Sequence, residues 1–242
     1  VPSNPAIPPF NPTFQPASPE QVKKLLASKL LLPQEEIAAI AAELGDGVWD
    51  LAWSVATVTD YAVLQSLRES LLGIMDSGGT MRDWLDMLDE MGWRSPLGAG
   101  HEETIFRTTL GSVQEAERYD ILMGSDAVEY LVFDAIDDDR VDEECLVLDG
   151  KAWPRDEFPP ELWPPLHFNC RCSVIPADAS DLDSLGAEIH DGPPPLDHVA
   201  EGFDTAPSVR GLTTAVQQSI AGRLQASGWV VNPRLAPPGR AA

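Results

Sequence analysis

Apolar residues recur through the first half of the chain at steps of three and four, the spacing of one helical face. Ser18-Pro19-Glu20-Gln21 has the form of a capping box, with Ser18 as N-cap, Pro19 at the first helical position and Gln21 reaching back. Val22, Leu25, Leu26 and Leu30 then form one stripe. Pro33 opens a second helix, whose Ile37, Ile40, Ala41 and Leu44 share a face and which Gly45 closes. A longer helix is predicted from about Trp49 to Asp76, stopped by Gly78-Gly79. Thr80 caps a fourth, with Trp84, Leu85, Leu88 and Met91 inward and Gly92 as its stop. After the Ser95-Pro96 turn, a helix is predicted from about Glu102 to Met123, broken by Gly124.

The pattern then changes period. Val128–Ile136, "VEYLVFDAI", is rich in β-branched and aromatic residues and predicts a strand that ends at the acidic turn "DDDR". A second strand is predicted at "CRCSVIP", so that a small sheet joins the two segments. Ser208–Ser227 predicts one more amphipathic helix, with Leu212, Val216, Ile220 and Leu224 at four-residue steps. The expected fold class is α+β: a helical N-terminal half, a small sheet-and-loop module, and extended Pro-rich terminal arms.

Composition modifies this picture at the ends. The chain has 22 prolines in 242 residues, about 9% against a usual ~5%. Residues 1–18 carry no charge and a proline every few positions, which excludes a helix or an inner strand. As polyproline this arm would reach about 55 Å, and it reads equally as a disordered terminus or as an arm that lies on a neighbouring subunit. The net charge of −23 disfavours general contact with nucleic acid. Only the tail differs: Val209–Ala242 has four arginines and no acidic residue, so contact with DNA, or equally with an acidic protein surface, is confined to it. No apolar run approaches the ~18 residues of a membrane span and no signal segment opens the sequence, which predicts a soluble chain made in a cytoplasm.

The chemistry concentrates in "WPPLHFNCRCSVIP", Trp163–Pro176. Three cysteines argue against a secreted disulfide framework. His167, Cys170 and Cys172 supply three zinc-type ligands as H-x-x-C-x-C, and Cys145 in "EECLVLDGKAW" is the obvious fourth. A structural zinc held there would contribute folding energy directly. The C-x-C spacing needs a bend, because on a straight strand the two thiols lie about 7 Å apart. Three readings stay open on the residues alone: a structural zinc site, packed thiols with a hydrogen-bonded histidine, or a catalytic site. The catalytic form is a metal-dependent hydrolase or nuclease of the HNH kind, or a Cys–His nucleophile pair. The acidic run Asp134, Asp137, Asp138, Asp139, Asp142, Glu143 and Glu144 lacks calcium-loop spacing and reads as a solvated turn.

The order of features resembles a family. Arg107-Thr108 on a helix, then "DDDRVDEECLVLDGKAW", then a Pro/acidic linker, then "PPLHFNCRCSV" resemble the phage Mu F-like head morphogenesis proteins, minor head proteins of tailed phages and prophages. The resemblance spans about Gly100 to Ala177. It implies a structural virion component in the head near the portal vertex, assembled in the host cytoplasm, with no catalytic residues. Its partners would be the portal protein, the major capsid protein, or other copies of itself. The signature positions it implies are Asp139, Arg140, Leu148, Asp149, Gly150, Pro165, His167, Asn169, Cys170, Arg171 and Cys172. The expected organisation is an arm over 1–18, a helical region over 19–98, the head-morphogenesis module over 99–177, and a linker, amphipathic helix and basic tail over 178–242. Arg140 and Arg171 are expected to pair with neighbouring carboxylates, and the Asp149-Gly150 turn to present Lys151 and Trp153 outward.

Overall fold

The structure is a computed structural model, and it describes residues 18–44, 52–191, 197, 199, 200 and 203. The element order is α1 (Pro19–Ser28), β1 (Leu30–Leu31), α2 (Gln34–Leu44), β2 (Ala52–Trp53), α3 (Tyr61–Ser77), α4 (Met81–Glu90), α5 (Ala99–Met123), β3 (Tyr130–Asp134), α6 (Glu143–Leu146), β4 (Lys151–Pro154), β5 (Ser173–Ala177), α7 (Leu182–Leu185) and β6 (Glu188–Ile189). Mixed helix and strand in this order is the expected α+β class.

Local chemistry explains most of the helix ends. Ser18 and Gln21 form the reciprocal capping box, with Gln21 N donating to Ser18 Oγ at 3.2 Å and Ser18 N donating to Gln21 Oε1 at 2.8 Å. Thr80 and Asp83 do the same for α4. Gly78, at φ +66°, ends α3 in the left-handed region that glycine enters without a Cβ penalty. The stripes Val22–Leu25–Leu26 and Trp84–Leu88 are buried against α3 and α5 in one core.

Three expectations are overturned here. No helix spans from Trp49: Ala52–Trp53 is a strand, paired in parallel with Leu30–Leu31, and α3 begins only after Asp60. The β-branched run Val55, Thr57, Val58, Thr59 has little to gain as a helix. Burial of Trp53, whose indole donates to Thr109 Oγ1 at 3.0 Å, decides for the strand. The same pairing takes Leu30 out of the α1 stripe. Met91 is not inward but 44% exposed, because α4 ends at Glu90. The expected helix at Ser208–Ser227, the Gly45 stop and the arm over residues 1–17 lie outside the described residues.

The second half is a four-stranded sheet in the order β5-β3-β4-β6, with β3 antiparallel to both neighbours and β4 parallel to β6. Leu131, Val132 and Phe133 are all buried because both faces of β3 are covered. Leu131 and Phe133 face one cluster with Cys145, Trp153, Trp163, Cys170 and Cys172. Val132 faces the other way, onto Ala152, Ala177 and Leu182. Trp153 is therefore 4% exposed, against the expectation that it points outward: the strand after Gly150 turns it onto Phe158, with ring centroids 5.2 Å apart. The fold also continues past Ala177, since β6 adds a strand to the sheet.

Candidate metal centre

Cys145 sits on α6, a single turn capped by Asp142, whose Oδ1 accepts from Glu144 N at 3.3 Å. The turn after it is fixed by Asp149, whose Oδ1 accepts from Ala135 N at 2.9 Å, and by Gly150 at φ +71°. These contacts hold Cys145 against the end of β3.

The other ligands come from the loop between β4 and β5. Trp163 anchors its start, donating from Nε1 to the Glu115 carbonyl of α5 at 3.1 Å. Asn169 adopts φ +61°, a left-handed position that Asn tolerates. It donates from its backbone N to Thr108 Oγ1 at 3.2 Å and from Nδ2 to Thr104 Oγ1 at 2.9 Å. Cys170 N closes the turn onto the His167 carbonyl at 3.2 Å. This turn places Cys170 before the strand and Cys172 at its entrance. Arg171, between them, points the other way and grips Asp138 with two bonds of 2.5 and 2.8 Å. That fork holds the Asp138 carboxyl well below the usual carboxylate range. Arg140 takes no such fork: its backbone N donates to Asp138 Oδ1 at 2.9 Å.

The result is a closed cluster. The ligand atoms of Cys145, His167 and Cys170 all lie within 4.8 Å of one another, and among the described residues they are the one group with metal-ligand spacing. Cys145 Sγ meets His167 Nε2 at 3.1 Å. Cys172, expected as a fourth ligand, is buried nearby but lies outside this group. All three cysteines are buried and free of disulfides.

The electrostatics favour a cation. Hydrogen bonds from Cys145, Cys172 and His167, joined by one from the backbone at Leu166, hold Cys170 well down as a thiolate. The hydrogen bonds with Cys170 and Cys172, together with burial, push Cys145 up. The hydrogen bond with Cys170 pushes His167 up to about 9. The other ring nitrogen, Nδ1, lies 2.9 Å from the Phe168 carbonyl, to which it can only donate. In the neutral ring Nε2 therefore carries the lone pair that faces the thiols, the tautomer a metal needs. Tetrahedral zinc would hold S and N about 3.6 Å apart, so an ion would part Cys145 and His167 by only about half an ångström. The donor set fits zinc. It fits a catalytic base poorly, because both ring nitrogens are engaged within the fold.

The acidic run behaves as a turn. Asp138 is paired with Arg171 and Asp142 caps α6. Of the α5 side of the site, the sequence pointed only to Thr108, through the Arg107-Thr108 feature; Thr104 and Glu115 carry no motif, and the helical step of three to four places them on the same face.

Residues 65–175 match the family model described as Phage Mu protein F like protein. Over that stretch, just under half of its length, the chain is similar to the phage Mu protein F-like proteins. The match begins within α3, upstream of the Gly100 start inferred from the motifs, and covers all of α4, α5 and the thiol cluster. The Mu F-like family is one of phage head morphogenesis, structural rather than enzymatic, and points to a virion component. No curated protein matches the chain, and no solved structure does. No helix among the described residues is long and apolar enough to cross a membrane.

Proposed function

We propose that this Mu F-like chain is a minor head protein of a tailed phage or prophage, acting at the portal vertex, with its module locked by one structural zinc. The observation that carries the reading is the closed Cys145–His167–Cys170 cluster inside the family match. It ties α6 to the 163–172 loop, and the loop is bonded in turn to α5. Zinc on these ligands, with Cys172 as the fourth, would replace several marginal contacts by one strong one. The portal protein, the major capsid protein and further copies of this chain are the proposed partners.

The test is made on assembled heads. Particles from a host expressing the intact chain should contain it in few copies, cross-linked to portal protein. Heads from a host carrying His167→Ala should lack it. Its absence from purified intact heads, or even distribution over the shell, would refute the proposal.

A further inference from the structure

The buried thiols can do more than hold a metal. Cys145, Cys170 and Cys172 are all free of disulfides. Cys145 stands on α6 and Cys170 on the 163–172 loop, about 25 residues apart in the chain, yet their Sγ atoms lie no more than 4.8 Å from one another. A disulfide needs about 2.0 Å. The two sulfurs must therefore approach by at most about 2.8 Å, a displacement of the size that one χ1 rotation gives. Cys172 lies outside this group, and a bridge from it across one residue to Cys170 would be strained. Geometry thus selects one pair of the three.

The neighbours supply a base and choose the oxidant. With Nδ1 of His167 donating to the Phe168 carbonyl at 2.9 Å, the neutral ring turns its Nε2 lone pair onto Cys145 Sγ at 3.1 Å. Cys170 is 8% exposed and Cys145 only 1%, so a bulky disulfide reagent is shut out and a small hydroperoxide meets Cys170 first. We propose that Cys145 and Cys170 form a redox lock: a hydroperoxide joins them in a disulfide that fixes the loop to α6 in place of a metal ion. The Cys170 sulfur attacks a peroxide oxygen, the O–O bond breaks, and Cys170 becomes a sulfenic acid as water leaves with the thiol proton. Cys145, its proton taken by His167 Nε2, then attacks that sulfur. The S–O bond breaks, and the departing hydroxide recovers the proton as water. Two thiols are oxidised and one hydrogen peroxide is reduced to two waters. Zinc and the disulfide compete for the same sulfurs, so the metal in a reducing cell and the bond outside it would hold the same junction. That biological use rests on the virion reading; the chemistry does not.

The experiment treats the full-length protein, reduced and freed of metal, with hydrogen peroxide, alkylates the remaining thiols, and maps the unreduced peptides by mass spectrometry. Expected are a Cys145–Cys170 linked peptide in molecules of monomer mass and an alkylated Cys172. The melting temperature should rise by about 7–14 °C, the effect of closing a loop of about 25 residues, and fall back with dithiothreitol. Zinc-loaded protein should form the same link only as it releases its zinc, and that arm decides if the metal-free chain does not fold. A link through Cys172, products at dimer mass, over-oxidised Cys170 without a link, or a link formed while zinc is retained would each overturn the proposal. A chain that takes up no zinc yet forms the link would refute the metal reading and support this one.

Discussion

Glu115 lies on α5 between the helical core and the thiol cluster, 7% exposed, with Oε1 accepting from Arg118 Nε at 3.1 Å and Oε2 buried without a hydrogen bond. Burial pushes its carboxyl from 4.5 up to about 7, Arg118 recovering only part of the cost. Between those two values the folded state holds a proton that the unfolded state has lost. Stability must therefore fall as pH rises through this window, and the full penalty is present above about 7. At 1.36 kcal/mol per unit, the shift corresponds to about 3 kcal/mol. Glu115→Gln keeps the shape and an acceptor for Arg118 but does not titrate. Urea unfolding of both proteins from pH 4 to 9, at the same metal load, isolates this group because the other ionisable residues cancel in the difference. The variant should gain on the parent by about 3 kcal/mol between pH 4.5 and 8, with a steepest slope near 1.4 kcal/mol per pH unit. Parallel pH curves, or a variant that loses ground above pH 7, would refute the account of Glu115 as a buried carboxylate that favours its neutral form.

In metal-stripped protein the His167 ring should titrate near 9 rather than 6.5 by NMR, because the Cys170 thiolate holds its proton; its contribution to stability is complete below 6.5 and lost as pH rises through 9. Added zinc should abolish that titration, and an unchanged curve would count against zinc on His167. Elemental analysis should find about one zinc per chain, with Cys145→Ser or Cys170→Ser lowering occupancy and the melting temperature together. Asn169→Ala should cost about 1–2 kcal/mol in urea unfolding, from the left-handed φ and the lost bond to Thr104. Asn169→Gly should cost less, since it keeps the backbone conformation. Trp163→Phe should cost about 1–3 kcal/mol by leaving the Glu115 carbonyl without its buried donor.

Much of this protein is determined locally and was legible in the order of residues. The capping boxes at Ser18 and Thr80, the Gly78 stop, the long helix to Gly124 and the β-rich Val128–Ile136 run all follow from interactions within four residues. The Cys145, His167 and Cys170 group was legible too, because cysteine and histidine at close spacing are rare enough to stand out. What the sequence left open was everything set by contacts across the chain. Trp53 belongs to a strand rather than a helix because Leu31 and Thr109 lie beside it in space. Trp153 is core because the sheet turns it inward. Glu115, Thr104 and Thr108 serve the loop only because α5 passes beneath it. A one-residue bend at Asn169, bonded to a helix some sixty residues upstream, sets Cys170 beside His167 and Cys145. Short-range patterning reports hydrogen bonds and faces within an element, whereas the site is made where two elements meet, and only the tertiary structure fixes that meeting.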